Sequence, residues 1–442
     1  MSDIEQSYIE TLDFIYAKLP MYSRVGVSAY KKDLTNTLAL CEFLGNPQSK
    51  FRTVHIGGTN GKGSTTNYLA SMAIEDGLKV GIYTSPHLID FRERIRVGHQ
   101  MIPREFVLSF IHKIRPLIEE IEPSFFEITV AMAFDYFASL EVDLAFIEVG
   151  LGGRLDSTNI IDPILSIITN VSFDHMNMLG DSLEKIAIEK AGIIKKNRPI
   201  IIGETNEEYA LVFDQKAKSE NSRIEYADRV VALNQNADNR YVFKVEDNEI
   251  LIPQEIVGPD YQLKNIRTSI LGYFKILEIL DLKSNFILSD VIVQGIDNRT
   301  KNTGFLGRWT LLEEGESRFI LESAHNEAGI LEFNKSFSHF PDDSFIIFGC
   351  VNDKDITKIV QILPSKARYI LTQANIPRAL NVKDLCQMFE EVGLNVFSIT
   401  SNVESAIEEA VLNSKSQETI FIIGSIFLVG EGLDRLQILG YK

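Results

Sequence analysis

Short apolar runs alternate along the chain with longer stretches whose apolar residues recur every three or four positions. The runs Arg52–Ile56, Val80–Thr84, Leu144–Val149, Ile164–Asn170 and Pro199–Gly203 read as strands. Between them, Ser64–Glu75, Phe126–Ser139 and Ser182–Lys195 carry a helical period. Strands alternating with helices predict a mainly parallel, doubly wound α/β sheet. A more polar, alternating stretch, Ile224–Pro253, predicts a hairpin insertion turning at Asp247-Asn248, after which the helix Gln262–Leu280 closes a first domain. Polar, glycine-containing Asp297–Gly307 (DNRTKNTGFLG) reads as a linker. Beyond it, Arg318–Glu322, Ser344–Gly349, Ala367–Thr372, Asn395–Ile399 and Thr419–Gly424 predict the strands of a second, smaller α/β domain. The expected division is 1–297 and 298–442.

Length agrees with two domains, since 442 residues exceed the roughly 250–300 at which one core stops growing. The net charge of −17 disfavours a nucleic-acid or anionic-membrane partner. Three widely spaced cysteines, Cys41, Cys350 and Cys386, form no CxxC pair and read as reduced thiols of a cytoplasmic protein. The acidic start, MSDIEQSYIETLDF, has no basic region followed by an apolar core, and no apolar run reaches about 18 residues. Neither secretion nor membrane spanning is expected.

The segment with most chemical content is Arg52–Thr66, RTVHIGGTNGKGSTT. An apolar strand enters a glycine-rich loop with a lysine, and hydroxyl residues open the following helix. Such a loop turns backbone N–H groups towards a polyphosphate at the positive helix end. The residues Thr59, Asn60, Gly61, Lys62, Gly63, Ser64 and Thr65 are therefore the expected ATP site. Lys62 would neutralise phosphate charge, and Ser64 or Thr65 would reach a magnesium ion. Gly63 between lysine and hydroxyl departs from the usual G-x4-G-K-[ST] spacing.

From here the chain resembles the folylpolyglutamate synthase and dihydrofolate synthase family, ATP-dependent amide ligases of the Mur-ligase type. The resemblance runs through GTNGKGSTT, YTSPHLIDFRERIRV (Tyr83–Val97), FFEITVAMAFDYFA (Phe125–Ala138), EVGLGGRLDSTNII (Glu148–Ile161) and ITNVSFDHMNMLGDSLEKIAIEKAGIIK (Ile168–Lys195). It continues in GRW (Gly307–Trp309), ESAHNEAG (Glu322–Gly329), FGCVNDKDI (Phe348–Ile356) and GSIFLVGE (Gly424–Glu431). It implies a P-loop ATPase domain followed by a Rossmann-like α/β domain. It also implies a monomer taking ATP, L-glutamate and a folate or dihydropteroate, with two magnesium ions.

On residue chemistry alone, Glu148 is a carboxylate at a strand's carboxyl end, either a ligand-side group or a capped or ion-paired one. His175, in SFDHMNMLG, could equally be structural. The resemblance makes Glu148 a magnesium ligand with Ser64, and places His175 at a second magnesium with Ser85 and other donors. Lys190 by itself is a helix lysine, solvated or ion-paired; the resemblance implies a carbamylated lysine there. The arginine-rich run Ser85–Val97 (Arg92, Arg94, Arg96) would be a loop over the active site. Ser124–Glu127 and Leu155–Ser157 match stretches contacting the pterin-bearing substrate, which nominates Phe125, Phe126, Glu127, Leu155, Asp156 and Ser157. Phe125 and Phe126 could instead be core aromatics.

The second domain would complete the nucleotide site through Arg308, Glu322, His325 and Asn326, with Asn265 from the end of the first. The family motif there is DGAHNP, whereas this chain has Glu322, Ser323, Ala324, His325, Asn326 and Glu327. The longer carboxylate, the lost glycine and the lost proline put the loop geometry in question. Lys62, Lys190, His175 and Arg308 are the expected catalytic group, serving an acyl-phosphate route to an amide. Two other readings stay open: a P-loop kinase or ATPase, and a non-catalytic folate- or nucleotide-binding relative.

Overall fold

The computed structural model describes residues 3–19, 33–282, 287–352 and 356–442. They fall into two compact units, Met1–His87 with Phe91–Phe305, and Leu88–Asp90 with Leu306–Lys442.

The first unit is built on one sheet. Its strands are β1 (Arg52–Gly57), β2 (Val80–Tyr83), β3 (Ile95–Val97), β4 (Gln100–Met101), β5 (Leu144–Glu148), β6 (Leu165–Ile168), β7 (Ile200–Ile202) and β8 (Ile224–Tyr226). Their order is β4-β3-β2-β5-β1-β6-β7-β8. From β2 to β8 neighbours pair in parallel, and β3 and β4 extend the β2 edge antiparallel. The central strands are buried on both faces, which is why they appear as unbroken apolar runs. On one face Val54, Ile56, Ile82 and Phe146 pack with Leu69 and Met72 of helix α1 (Lys62–Glu75). On the other, Ala145 and Ile147 pack with Ile128 and Phe134 of α2 (Phe125–Ser139). Further along, Ile168 and Ile202 meet Ile186 and Ala187 of α3 (Leu183–Ala191). The long helix α4 (Tyr261–Leu280) covers the α1 face.

This arrangement fixes where a ligand can sit. The chain leaves β1 to reach β2 on one side, whereas from β6 it passes to β7 on the other. The carboxyl ends of β1 and β6 therefore flank the topological switch point, where open α/β sheets bind ligands.

Several expectations need correction. The segment Ile224–Pro253 is not one hairpin: β8 belongs to the large sheet. Strands β9 (Ala232–Gln235), β10 (Arg240–Val245) and β11 (Asn248–Pro253) form a separate antiparallel sheet. Its last turn is Glu246-Asp247, with Glu246 at φ 52°, because Val245 pairs with Asn248. The expected linker contains a short helix, α5 (Arg299–Thr303), and the first unit runs on to Phe305. Packing makes that helix: Arg299 lies 4.7 Å over the Tyr68 ring, and Asn302 donates to Ser71 Oγ and Glu75 Oε1. The run Ser85–Val97, expected as a loop, is regular from Phe91 on, where a short helical turn (Phe91–Arg94) leads into β3. Arg94 and Arg96 are buried in it, and β3 pairs with β2.

The second unit has a sheet of order β12-β13-β17-β14-β15-β16: β12 (Thr310–Glu314), β13 (Ser317–Glu322), β14 (Phe345–Phe348), β15 (Arg368–Leu371), β16 (Val396–Ile399) and β17 (Thr419–Ile423). All pair in parallel except β12, an antiparallel edge that sequence reasoning missed. Residues 353–355 of the FGCVNDKDI stretch lie outside the described residues.

Candidate active site

The loop after β1 is held by the loop after β6 rather than by its own turns. Thr59 N donates to Asn170 O at 3.0 Å and Asn60 N to Asn170 Oδ1 at 3.0 Å. In return, the Asn60 carbonyl accepts from Thr169 Oγ1 at 2.6 Å and Asn170 Nδ2 at 3.2 Å. Ser172 N donates to Thr59 Oγ1 at 3.0 Å. The glycines make this closeness possible. A Cβ on Gly58, at φ 144°, would stand 1.9 Å from Thr169 Oγ1, and one on Gly61, at φ 80°, would stand 2.2 Å from Asn265 Oδ1. Asn265 is itself braced, donating to Gln262 Oε1 at 2.9 Å. Gly61 caps α1, which begins at Lys62, two residues before the expected start.

Two lysines converge on this loop. Lys62 Nζ donates to the carbonyls of Gly58 (3.2 Å) and Thr59 (3.0 Å), and Lys190 Nζ donates to the same Gly58 carbonyl at 2.9 Å. Lys190 is not the solvated helix lysine of the bland reading. Burial first, and the Lys62 charge second, draw its pKa from 10.5 down to about 7, against a partial pull upwards from Asp174. At neutral pH much of it is therefore an uncharged amine.

Glu148 closes the third side. It ends β5, is buried, and accepts from Ser85 N at 3.1 Å through Oε2. Its Oε1 lies 3.7 Å from the position of a Cβ on Gly63, beside the first turn of α1 that carries Ser64. His175 sits at φ 50° ahead of a short helical turn, with Nε2 3.8 Å from Asp174 Oδ1. Ser172, three residues before it, is tied to the phosphate-type loop. Arg96, missed as a structural element, is the buried cation behind this wall. It donates to Asn67 Oδ1 and Thr84 Oγ1, each at 3.2 Å, and to the Thr303 carbonyl.

Several residues expected at the acceptor have structural partners of their own. Phe125 is a core aromatic, 5.9 Å from Phe91 and 5.8 Å from Tyr16. Phe126 is half-buried and lies where only a glycine fits, since a Cβ on Gly150 would come within 2.4 Å of its ring. Glu127 completes a capping box, accepting from Ser124 N at 2.6 Å while its own N–H donates to Ser124 Oγ. Buried Asp156 accepts from Leu151 N at 2.8 Å and Thr158 N at 3.0 Å, so its carboxylate shapes the turn. Leu155 and Ser157 flank it, Leu155 half-buried and Ser157 buried.

In the second unit, Glu322 ends β13 and accepts from Arg308 Nη1 at 3.2 Å and Trp309 N at 3.0 Å. The longer carboxylate thus reaches the residue expected to clamp phosphate. Ser323 is absent from the described residues with left-handed φ, so glycine's freedom is not needed there. Its N–H and hydroxyl both donate to the Gly307 carbonyl, at 3.1 and 2.7 Å. Asn326 caps the helix Glu327–Phe337 through Gly329 N, and Glu327 occupies its first position. Proline and glutamate are both favourable there, glutamate through the helix dipole. His325 Nδ1 is 2.7 Å from Ser323 O.

The Mur ligase middle domain matches residues 56–280, and the Mur ligase glutamate ligase domain matches 307–426. The dihydrofolate synthase/folylpolyglutamate synthase of Bacillus subtilis is 31% identical over 446 residues, covering 98% of this chain and 99% of that protein. The chain belongs to the folylpolyglutamate synthase/dihydrofolate synthase family. A Haloferax volcanii relative, named a probable bifunctional folylpolyglutamate synthase/dihydropteroate synthase, is 28% identical over 435 residues. There the match covers 96% of this chain but 50% of the relative, so this family member spans about half that protein's length. The folylpolyglutamate synthase of Mycobacterium tuberculosis, solved in complex with ADP and AMPPCP, superposes with a TM-score of 0.84 at 25% identity, covering 99% of both chains. Asn170 and Thr169 brace the nucleotide-type loop of this family member and were not singled out from the sequence. Both lie at the end of the run Ile164–Asn170 that reads as strand, which hid them.

Proposed function

We propose that the chain is an ATP-dependent ligase that joins L-glutamate to the carboxylate of a folate-type acceptor through an acyl phosphate. The observation that carries this reading is the convergence of Lys62 and Lys190 on the Gly58 carbonyl, at the switch point, with Glu148 ending the adjacent strand β5. A carboxylate is a poor electrophile, so its oxygen must first take the terminal phosphoryl group of ATP. That transfer needs alignment and charge neutralisation more than covalent help. Lys62 and the N–H groups opening α1 face the phosphates from the first unit. Within the second unit, Arg308, held by Glu322, is the residue proposed to clamp phosphate. The amine of glutamate then attacks the acyl carbon, and the tetrahedral adduct expels phosphate.

Among the described residues no group of three or more His, Cys, Asp or Glu could hold a metal ion by itself. The donor set fits magnesium, which keeps waters and phosphate oxygens and needs few protein ligands. Glu148 with Ser64 would hold one ion, and His175 with Ser85 would contribute to a second; such ions would supply charge neutralisation at the phosphates. Lys190 suits carbamylation: burial leaves a substantial uncharged fraction, that amine adds carbon dioxide with loss of a proton, and the resulting anion is balanced by Lys62. Phe126, beside Gly150 and the Leu155–Ser157 turn, walls the acceptor side. Among the described residues no helix is long and apolar enough to cross a membrane, and the three cysteines are buried and free. A cytoplasmic monomer is the reading carried with this proposal, and light scattering provides the check on its oligomeric state.

The test is ADP release with ATP, L-glutamate and either a reduced folate or dihydropteroate. The ligase requires all three for turnover. ADP formed equally without glutamate would point to a kinase or ATPase. Tight ATP binding with no glutamate-dependent ADP would point to a non-catalytic relative.

A further inference from the structure

His55 lies in the middle of β1 between Val54 and Ile56, fully buried, at a position an apolar residue would fill without polar cost. Its Nδ1 has no hydrogen-bond partner, so the imidazole is retained at some expense to stability. What it offers is Nε2, 2.9 Å from Thr158 Oγ1. The Thr158 hydroxyl donates its only proton to Asp156 Oδ1, so the His55 contact must run from Nε2–H to Thr158 Oγ1. Burial, aided by the Lys195 charge, pushes the ring pKa down to about 3 and keeps it neutral. The direction of the chain is thereby fixed: His55 to Thr158 to Asp156. Asp156 then holds Leu151 N with its second oxygen, three residues after Glu148. The nucleotide loop is pinned by a different set, Thr169, Asn170 and Ser172.

We infer that His55, acting through Thr158 and Asp156, is a positioning residue that fixes the acceptor-binding turn Leu155–Ser157 and sets affinity for the pterin-bearing acceptor independently of nucleotide. The inference rests on the ligase reading above, and it adds two residues that touch neither substrate.

Thr158→Val keeps the shape of the side chain and removes both hydroxyl links while the Thr158 N–H still donates to Asp156, whereas Thr158→Ser keeps the hydroxyl. Full-length wild type and variants are titrated by calorimetry with tetrahydrofolate and dihydropteroate in the presence of ADP, and separately with AMPPCP. The expected result for Thr158→Val is acceptor binding about tenfold weaker and AMPPCP binding within about twofold of wild type, with Thr158→Ser restoring most of the acceptor affinity. The same split is expected in the KM values for acceptor and ATP. If Thr158→Val does not fold, His55→Gln, which keeps a donor towards Thr158, should bind acceptor better than His55→Leu. Unchanged acceptor affinity in Thr158→Val overturns the inference. So does an equal loss for acceptor and nucleotide, or a Thr158→Ser as weak as Thr158→Val. A wild type that binds AMPPCP but neither acceptor removes the ligase reading, and the inference with it. Wild-type turnover beside an indifferent Thr158→Val removes the inference alone.

Discussion

Replacing Lys190 with methionine keeps the aliphatic volume of the side chain and removes the buried amine. With the pKa lowered from 10.5 to about 7, folding with Lys190 protonated costs at most about 5 kcal/mol. The substitution also deletes the hydrogen bond to Gly58 O, worth about 1 kcal/mol. That carbonyl still accepts from Lys62 at 3.2 Å, so no buried acceptor is orphaned. The variant should therefore be more stable than wild type by up to about 4 kcal/mol near pH 6 in bicarbonate-free buffer. The sign with pH follows from proton counting. Below pH 7 Lys190 is protonated in both states and the wild type carries the whole cost. Between about 7 and 10.5 the unfolded chain binds the extra proton, so wild-type stability climbs with pH and the variant's advantage shrinks towards zero. Denaturant midpoints followed by circular dichroism from about pH 6 to about pH 9 give the curve. Bicarbonate should raise the stability of wild type and leave the variant unmoved. Ligase activity should be lost in the variant and partly regained with a short-chain carboxylate. A variant less stable than wild type at pH 6, or an advantage that does not shrink with pH, would refute the buried-amine argument.

Lys62→Ala should lower turnover by roughly 10²–10³-fold, because its charge meets developing phosphate charge, and should leave the thermal midpoint near wild type. A large drop in midpoint with activity kept in proportion would contradict that role. Gly150→Ala forces a Cβ within 2.4 Å of the Phe126 ring and 3.1 Å of Asp156 Oδ2, so the acceptor KM should rise while AMPPCP affinity holds; equal KM values would show the ring is free to move. Glu322→Ala should weaken ATP roughly ten- to hundred-fold by releasing Arg308 and Trp309 N, about 1.5–3 kcal/mol, and Glu322→Asp should keep most of the affinity. Identical ATP affinity in all three would detach this carboxylate from the nucleotide.

Much of the fold was legible because the central parallel strands are buried on both sides. Strands β5, β6, β14 and β17 are apolar throughout but for one residue at most, which no solvated segment resembles. The edges were not. Gln100–Met101 and Thr310–Glu314 are largely exposed and exist through pairing with β3 and β13, a tertiary fact. The helix Arg299–Thr303 is likewise too short to show a period and is made by contacts with α1. At the site, GTNGKGS stood out by residue type and order, whereas Glu148 and Lys190 were ambiguous by themselves and were marked only by the family resemblance. The loop's real support did not stand out, since Asn60 and Asn170 are 110 residues apart and His55 and Thr158 are 103 apart. Two expected acceptor residues, Glu127 and Asp156, proved to be organisers of local backbone. A carboxylate near a helix start can serve backbone N–H groups or a ligand, and residue type does not separate the two.

The central claim is that glutamate is joined through an acyl phosphate. It is tested most directly by labelling the acceptor's reacting carboxylate with heavy oxygen and analysing both products by mass spectrometry. With ATP, L-glutamate and a reduced folate or dihydropteroate, the acceptor should gain one glutamyl group per ADP formed. One heavy oxygen should appear in each phosphate released, since the carboxylate oxygen that took the phosphoryl group leaves with it. Glutamylated product accompanied by wholly unlabelled phosphate would contradict the acyl-phosphate route, and phosphate release with an unchanged acceptor would contradict the ligase itself.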